Sequence, residues 1–392
     1  MNKYEVLSAK EDGMNQSYVK KMKNDIYKTY EHLHTYPESS SEEKETSAYI
    51  QKKLEDAGYS VRTFSEHYGL TAELQGASSE VVAFRADLDA VVQWMDGELK
   101  ANHSCGHDAH STMLLYTALA LKKMNIKPQK TIRFLFQPSE ETGAGAKQMI
   151  ESGCLQNVTE LYGMHVRPEW EVEDKKASPV ILHGSACAVH GIVHGVQAHA
   201  SRPEFGKNAI EIAADLVQML RGLRLTKTND YSVKMTKLQA GGDSTNVIPD
   251  EAVFALDLRA NTNEAMDELK SRVEHILSHL TSIHEVAIDY HFEGRTYAAV
   301  PNVHTIQIAT QAIQSVLGDD GLVSVCETKG AEDFHVYTKE TGVASTMIGL
   351  GCGLKHGLHH PDMMFNKEAL LTGTNIYLTL ALLASKAEVQ GE

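Results

Sequence analysis

The chain has 392 residues, 42% hydrophobic and 23% charged, a length for two or three domains and the composition of an ordinary globular protein. Its formal net charge of −15 excludes the basic footprint that a nucleic-acid-binding surface needs. No run of about 18 apolar residues occurs, so no membrane partner is expected, and the polar start MNKYEVLSAKEDGMNQ carries no secretory signal. The 5 cysteines, Cys105, Cys154, Cys187, Cys326 and Cys352, are scattered and odd in number. That pattern is not a disulfide framework and points to a reducing, cytoplasmic setting.

The first elements are helical. Residues 18–33 carry Val19, Met22, Ile26, Tyr30 and Leu33 at a period near 3.6, and Pro37 interrupts the pattern. Residues 42–57 predict a second amphipathic helix, closed by Gly58 as a C-terminal cap. Strands follow, and each leads into ionisable residues. VVAF (81–84) leads into Arg85, Asp87 and Asp89; TIRFLF (131–136) leads into Glu140 and Glu141. ELYGM (160–164) leads into His165, and VASTMIGL (343–350) leads through a glycine-rich loop to His359 and His360.

Continuous apolar runs alternating with helices predict an α/β domain built on a mostly parallel sheet with helices on both faces. Ligands bind such sheets outside the carboxyl ends of the strands, where these four runs place Asp, Glu and His. The middle differs. Residues 185–295 read strand–helix–strand–strand–helix–strand, a ferredoxin-like α+β unit. The expected layout is a catalytic domain in two parts, 1–182 and 298–392, interrupted by an inserted domain over 183–297.

The stretch NHSCGHDAH (102–110) raises the chemical question. A structural zinc site wants paired C-x2-C or H-x3-5-H spacing, and a thioredoxin-type site wants C-x-x-C; neither is present. Cys105 and His107 are two apart, so in an extended loop they face one side and can approach one metal. Asp108 or Ala109 then opens an apolar helix, whose N-terminus favours a thiolate at Cys105. Glu140 and Glu141 are adjacent and diverge at a strand-to-loop bend, so one can bind metal while the other holds a water. Taken alone, Cys105 also reads as a small buried hydrophobe, the Glu pair as solvated surface and His165 as a core histidine.

RADLDA, SCGHDAH, FQPSEETGAGA, YGMHV, NVIPDEA, GAEDF and LHHP occur in this order. Together they resemble the amidohydrolase branch of the aminoacylase and carboxypeptidase metallopeptidases, which includes hippurate hydrolases and plant auxin-amino-acid conjugate hydrolases. The resemblance runs from about Tyr30 to Leu380. It implies two divalent metal ions, manganese or zinc, with cobalt as an alternative. By motif position Cys105 bridges the metals, and His107, Glu141, His165 and His359 are the other ligands; His360 takes the x of H-x-P. Glu140 matches the general base. Asp87 matches a supporting aspartate, and Arg85 stands where relatives outside this branch carry a histidine ligand.

In the inserted domain, QAHASRP resembles a family motif whose histidine, here His199, reaches an active site and binds the scissile carbonyl. In dimeric relatives it often does so from the neighbouring chain. Asn246 and Arg259 match substrate-facing positions, Arg259 suiting a carboxylate. The implied activity is hydrolysis of a small-molecule N-acyl amino acid, with a dipeptidase or carboxypeptidase, or a non-catalytic binding member, as alternatives. The inserted part resembles a lid and dimerisation domain, which implies a homodimer. One segment departs from the pattern: Val91, Val92, Gln93 and Trp94 replace the usual Leu-Pro run after Ala90. This segment is expected to border the substrate cleft, with Trp94 lining a pocket or lying in the core.

Overall fold

The computed structural model of the protein describes residues 9–386 apart from 227 and 229. The chain forms two compact units. The first comprises the described residues up to Leu182, Val300–Thr328 and those from Asp333 onward; the second comprises His183–Ala299 and Lys329–Glu332.

The first unit is built on a seven-stranded sheet, ordered Val61–Thr63, Leu70–Leu74, Thr131–Gln137, Val81–Asp87, Val158–Pro168, Ala344–Leu354 and Ala177–Ser178. The four strands from Thr131–Gln137 to Ala344–Leu354 run parallel, and the outer pairs are antiparallel. The parallel strands are buried along most of their length, which is why they read as continuous apolar runs. Both faces are covered. Tyr162 joins a cluster with Leu114 and Leu380, from the helices His107–Lys123 and Glu368–Ser385. Its neighbour Gly163 points to the opposite face, where an added Cβ would lie 3.0 Å from the Phe334 ring at the start of the helix Phe334–Thr341. The expected α/β architecture is thus observed.

Several boundaries differ from the sequence reading. The first helix is two, Ala9–Lys21 and Lys23–Thr35. Met22 sits at φ −92°, ψ 1°, and its carbonyl accepts from both Asp25 and Ile26. This turn keeps Val19, Met22 and Ile26 buried together. The next helix runs Lys44–Asp56, because Glu43 is its N-cap. His165 lies inside the strand Val158–Pro168, paired with Gly349, not beyond the strand's end. The segment after Ala90 is a hairpin, Val91–Met95 with Glu98–Asn102. Asp96 (φ 53°) and Gly97 (φ 83°) form its left-handed two-residue turn. Trp94 is 69% exposed, so its core reading is excluded.

The second unit is a four-stranded antiparallel sheet in the order Tyr231–Ala240, Glu251–Ala260, Ser185–His194, Ala287–Glu293. The helices Ala209–Gly222 and Asn263–His284 bury Leu216 and Leu269 in one cluster with Val189 and Leu256 from the sheet. Asn208 and Thr262 cap these helices by accepting from Ile210 and Ala265. The chain order matches the ferredoxin-like expectation.

Candidate metal centre

Gly106 separates two candidate ligands. At φ 89° it occupies the left-handed region, and a Cβ there would lie 2.5 Å from Val166. Cys105 therefore stays in the loop while His107 opens the helix His107–Lys123. The donor atoms of Cys105, His107 and His165 lie within 4.8 Å of one another, and so do those of Cys105, Glu141 and His359. Cys105 Sγ is common to both triads. Its separation from His165 Nε2 is 3.6 Å. Glu141 Oε1 lies 3.7 Å from His107 Nε2 and 3.3 Å from His359 Nε2. Glu140 is on the same rim, with Oε2 3.8 Å from His107 Nε2.

The far side of each buried ring sets its tautomer. His107 Nδ1 donates to the Asp89 carbonyl at 2.8 Å, and His165 Nδ1 donates to the Val166 carbonyl at 2.7 Å. Both rings then present Nε2 on the Cys105 side, the nitrogen left for a cation once Nδ1 is committed. His110 lies equally close, in a group with Asp87 and His107. Its nitrogens are committed elsewhere, Nδ1 to Asp87 Oδ1 at 2.8 Å and Nε2 to the Val166 N–H at 3.0 Å. It orients Asp87 instead of offering a ligand. His359 approaches from its own loop, held by its N–H on the Ser104 carbonyl at 2.8 Å. The His360 ring stacks on His356 and accepts the Asp362 N–H.

The residues fit a cation. His107 Nε2 and Glu141 Oε1 are buried without a hydrogen-bond partner. A buried polar atom left unpaired costs roughly 1–3 kcal/mol, so orphans in one cluster indicate a ligand that satisfies them. The sulfur, nitrogen and oxygen donors suit a borderline divalent ion. Electrostatics agree. Burial opposes a charge on His107, but Asp87 and Cys105 outweigh it and raise its pKa well above the ordinary value. Burial pushes Asp87 up, yet His107, His110 and Arg85 hold it well below the usual carboxylate range. Burial and then His110 lower His165 well below the ordinary value, leaving a neutral ring. Burial also pushes the Cys105 thiol up to about 12. The expected effect of the helix N-terminus is overridden by desolvation, and the chain alone presents no reactive thiolate there.

Around these residues is a support that the sequence reading did not assign. Asp89 Oδ2 accepts the Glu141 N–H at 3.0 Å and the Ser40 hydroxyl at 2.7 Å. Arg85 is buried and donates to Asp87 at 2.6 Å, Gln137 at 2.8 Å and Asp333 at 2.8 Å. Asp333 also accepts from Gln137 and from the Ala146 N–H. Three further candidates belong to the second unit. His199 and Asn246 are neighbours there: Ala198–His199 pairs with Val247–Ile248, and the Ala200 N–H donates to the Asn246 carbonyl. Arg259, on the strand Glu251–Ala260, donates from Nε to both Asp257 oxygens at 3.1 Å.

The profile of the family described as Peptidase family M20/M25/M40 matches residues 83–383, most of the chain. The chain belongs to this family. Among M20 relatives it is 27% identical to an N-acetylcysteine deacetylase of Bacillus subtilis, covering 90% of this chain and 94% of that one. It is 27% identical to the IAA-amino acid hydrolase ILR1-like 4 of Arabidopsis thaliana, covering 89% and 83%. In fold it is similar to the Bacillus subtilis YXEP protein, a dinuclear metal binding peptidase of the M20 family, with a TM-score of 0.80, 24% identity and 94% and 99% coverage.

Proposed function

We propose that this M20 hydrolase cleaves the amide bond of N-acyl amino acids, releasing a carboxylic acid and a free amino acid. The observation that carries the proposal is the pair of triads sharing Cys105 Sγ, with Glu140 beside them. Cys105, His107, His165, Glu141 and His359 would hold two divalent ions, with the sulfur common to both groups of donors. Zinc, manganese and cobalt all suit these donors. When bound, the ions supply Lewis acidity toward the amide carbonyl and lower the pKa of water.

Glu140 takes the proton from the attacking water and returns it to the leaving amine. Its carboxylate reaches the centre's edge and also accepts the Asp333 N–H at 3.5 Å, which limits its rotation. Asp87, bound on one oxygen by His110 and on the other by Arg85, keeps negative charge beside His107, its Oδ2 3.8 Å from Nε2. His199 stabilises the oxyanion. Its Nδ1 accepts the Ser201 N–H, so the ring hydrogen sits on Nε2, the tautomer that role needs. Arg259 and Asn246 recognise the amino-acid carboxylate. The Arg259 Nε is engaged by Asp257, and its terminal nitrogens have no protein partner among the described residues.

The relatives named for N-acetylcysteine and auxin-conjugate substrates support an acyl group over a free α-amine. All 5 cysteines are free and buried, which supports a reducing cytoplasm. No helix among the described residues is long and apolar enough to cross a membrane. A homodimer through the inserted unit is part of the same reading. The test is amine release from N-acetyl, N-benzoyl and indole-acetyl amino acids by metal-loaded protein. Glu140→Ala is expected to lower kcat by about three orders of magnitude with metal content unchanged. Near wild-type turnover in that variant sinks the assignment.

A further inference from the structure

Glu43 is not a ligand and touches no candidate ligand, yet it is a fully buried carboxylate. Its Oε1 accepts from three groups: the Ser139 N–H at 2.8 Å, the Ser139 hydroxyl at 3.4 Å and the Ser41 N–H at 2.9 Å. Ser41 and Ser139 hydroxyls are 3.0 Å apart. Its other oxygen, Oε2, has no hydrogen-bond partner. A buried carboxylate that spends one oxygen on two left-handed serines, Ser41 and Ser139, is costly unless those turns must be held.

Ser139 immediately precedes Glu140 and Glu141. It is 1% exposed and lies at φ 55°, a left-handed conformation that a serine adopts only under constraint. The turn is locked on its other side as well. The Ser139 carbonyl accepts the Gly145 N–H at 3.1 Å, and a Cβ on Gly145 would lie 1.7 Å from the Pro138 oxygen. Glu43 thus supplies the acceptor for the one amide that the left-handed residue turns inward.

The loop that carries Glu43 makes parallel attachments. Ser40 donates to Asp89, which holds Glu141, and the Glu38 carbonyl accepts the Ala90 N–H. The segment between the helices Lys23–Thr35 and Lys44–Asp56 therefore grips both strand ends that bear the carboxylates.

We infer that Glu43 is a positioning residue that holds Ser139 in its left-handed conformation and thereby aims the Glu140 carboxylate. The inference rests on Glu140 being the general base. A small rotation at Ser139 swings Glu140 off the attacking water, and misplacement by about 1 Å can cost two orders of magnitude in rate. Glutamine at 43 keeps an acceptor oxygen at Ser139. Aspartate keeps the charge but withdraws it by one methylene. Glycine at 139 adopts the left-handed conformation unaided.

The experiment compares the full-length, metal-loaded wild type with E43A, E43Q, E43D, E43A/S139G and E140A on an N-acetyl amino acid. It records kcat, KM, bound metal per chain and the thermal midpoint. E43A and E43D are expected to lose about 30-fold in kcat, with KM within about twofold and metal content equal to wild type. E43Q is expected within about fivefold of wild type, and E43A/S139G at least about fivefold above E43A. If E43A does not fold, E43D and E43Q carry the test. A kcat per metal-loaded chain that is unchanged in E43D, or E43Q no faster than E43D, overturns the inference. So does E43A/S139G no faster than E43A. Undiminished turnover in E140A instead overturns the general-base reading on which it rests.

Discussion

Asp89 accepts the main-chain N–H of Glu141 through Oδ2 at 3.0 Å. Its carbonyl holds the His107 ring at 2.8 Å, so one residue tethers two candidate ligands that lie on different segments. Removing such a tether loosens a metal centre without removing a donor. Asp89→Ala removes the carboxylate tether on Glu141 and keeps the carbonyl on His107; it is expected to fold and to lose about 10–100-fold in affinity for divalent ions, read by competition with a chelating dye. Unchanged affinity contradicts the tethering role.

Arg85 is a buried cation that pairs with both the Asp87 and the Asp333 carboxylates. Arg85→Met takes this buried charge away from both carboxylates at once. The cost expected is about 3–5 kcal/mol of stability, measured by urea unfolding of the metal-loaded protein. A loss below about 1 kcal/mol shows that the ladder is not a structural clamp.

His335 gives the fold an acid sensitivity. Burial first, and then the Arg85 charge, push its pKa down to about 3. Unfolded histidine titrates near 6.5, so between these values the unfolded chain binds the extra proton and stability rises with pH. The contribution is complete above about pH 6.5 and is lost as pH falls toward 3. Between pH 6 and 5 the wild type is expected to lose about 1 kcal/mol more than His335→Phe. Parallel stability curves for the two proteins refute this.

Stripping the metal leaves the orphaned Glu141 and His107 atoms without partners. Chelation is expected to abolish amide hydrolysis and lower the thermal midpoint by on the order of 5 °C, both restored by zinc or manganese. A midpoint indifferent to metal means that these atoms are satisfied in another way.

The candidate donors are legible in the sequence and the residues that hold them are not. Cys105, His107, Glu141 and His165 stand at or near the ends of apolar runs, and the parallel strands bring those ends to one edge. His359 comes from a glycine-rich loop that periodicity does not describe. Asp96-Gly97 is the local turn signal of the hairpin Val91–Met95 with Glu98–Asn102, which the departure from Leu-Pro does not reveal. Arg85, Asp333 and Glu43 escape for another reason. Glu43 looks like an ordinary surface charge, and the pairing of Arg85 with Asp333 joins distant segments, so local pattern holds no trace of either burial.

The strand Ala344–Leu354 pairs with Val158–Pro168, although the entire second unit lies between them in sequence. During synthesis the thiol and two of the histidines leave the ribosome long before that strand and His359 do. The inserted unit has its own core and order of strands, so it can fold during the wait. The candidate donors therefore come together last, when the C-terminal strand docks, and their meeting is a late report that the first unit has assembled.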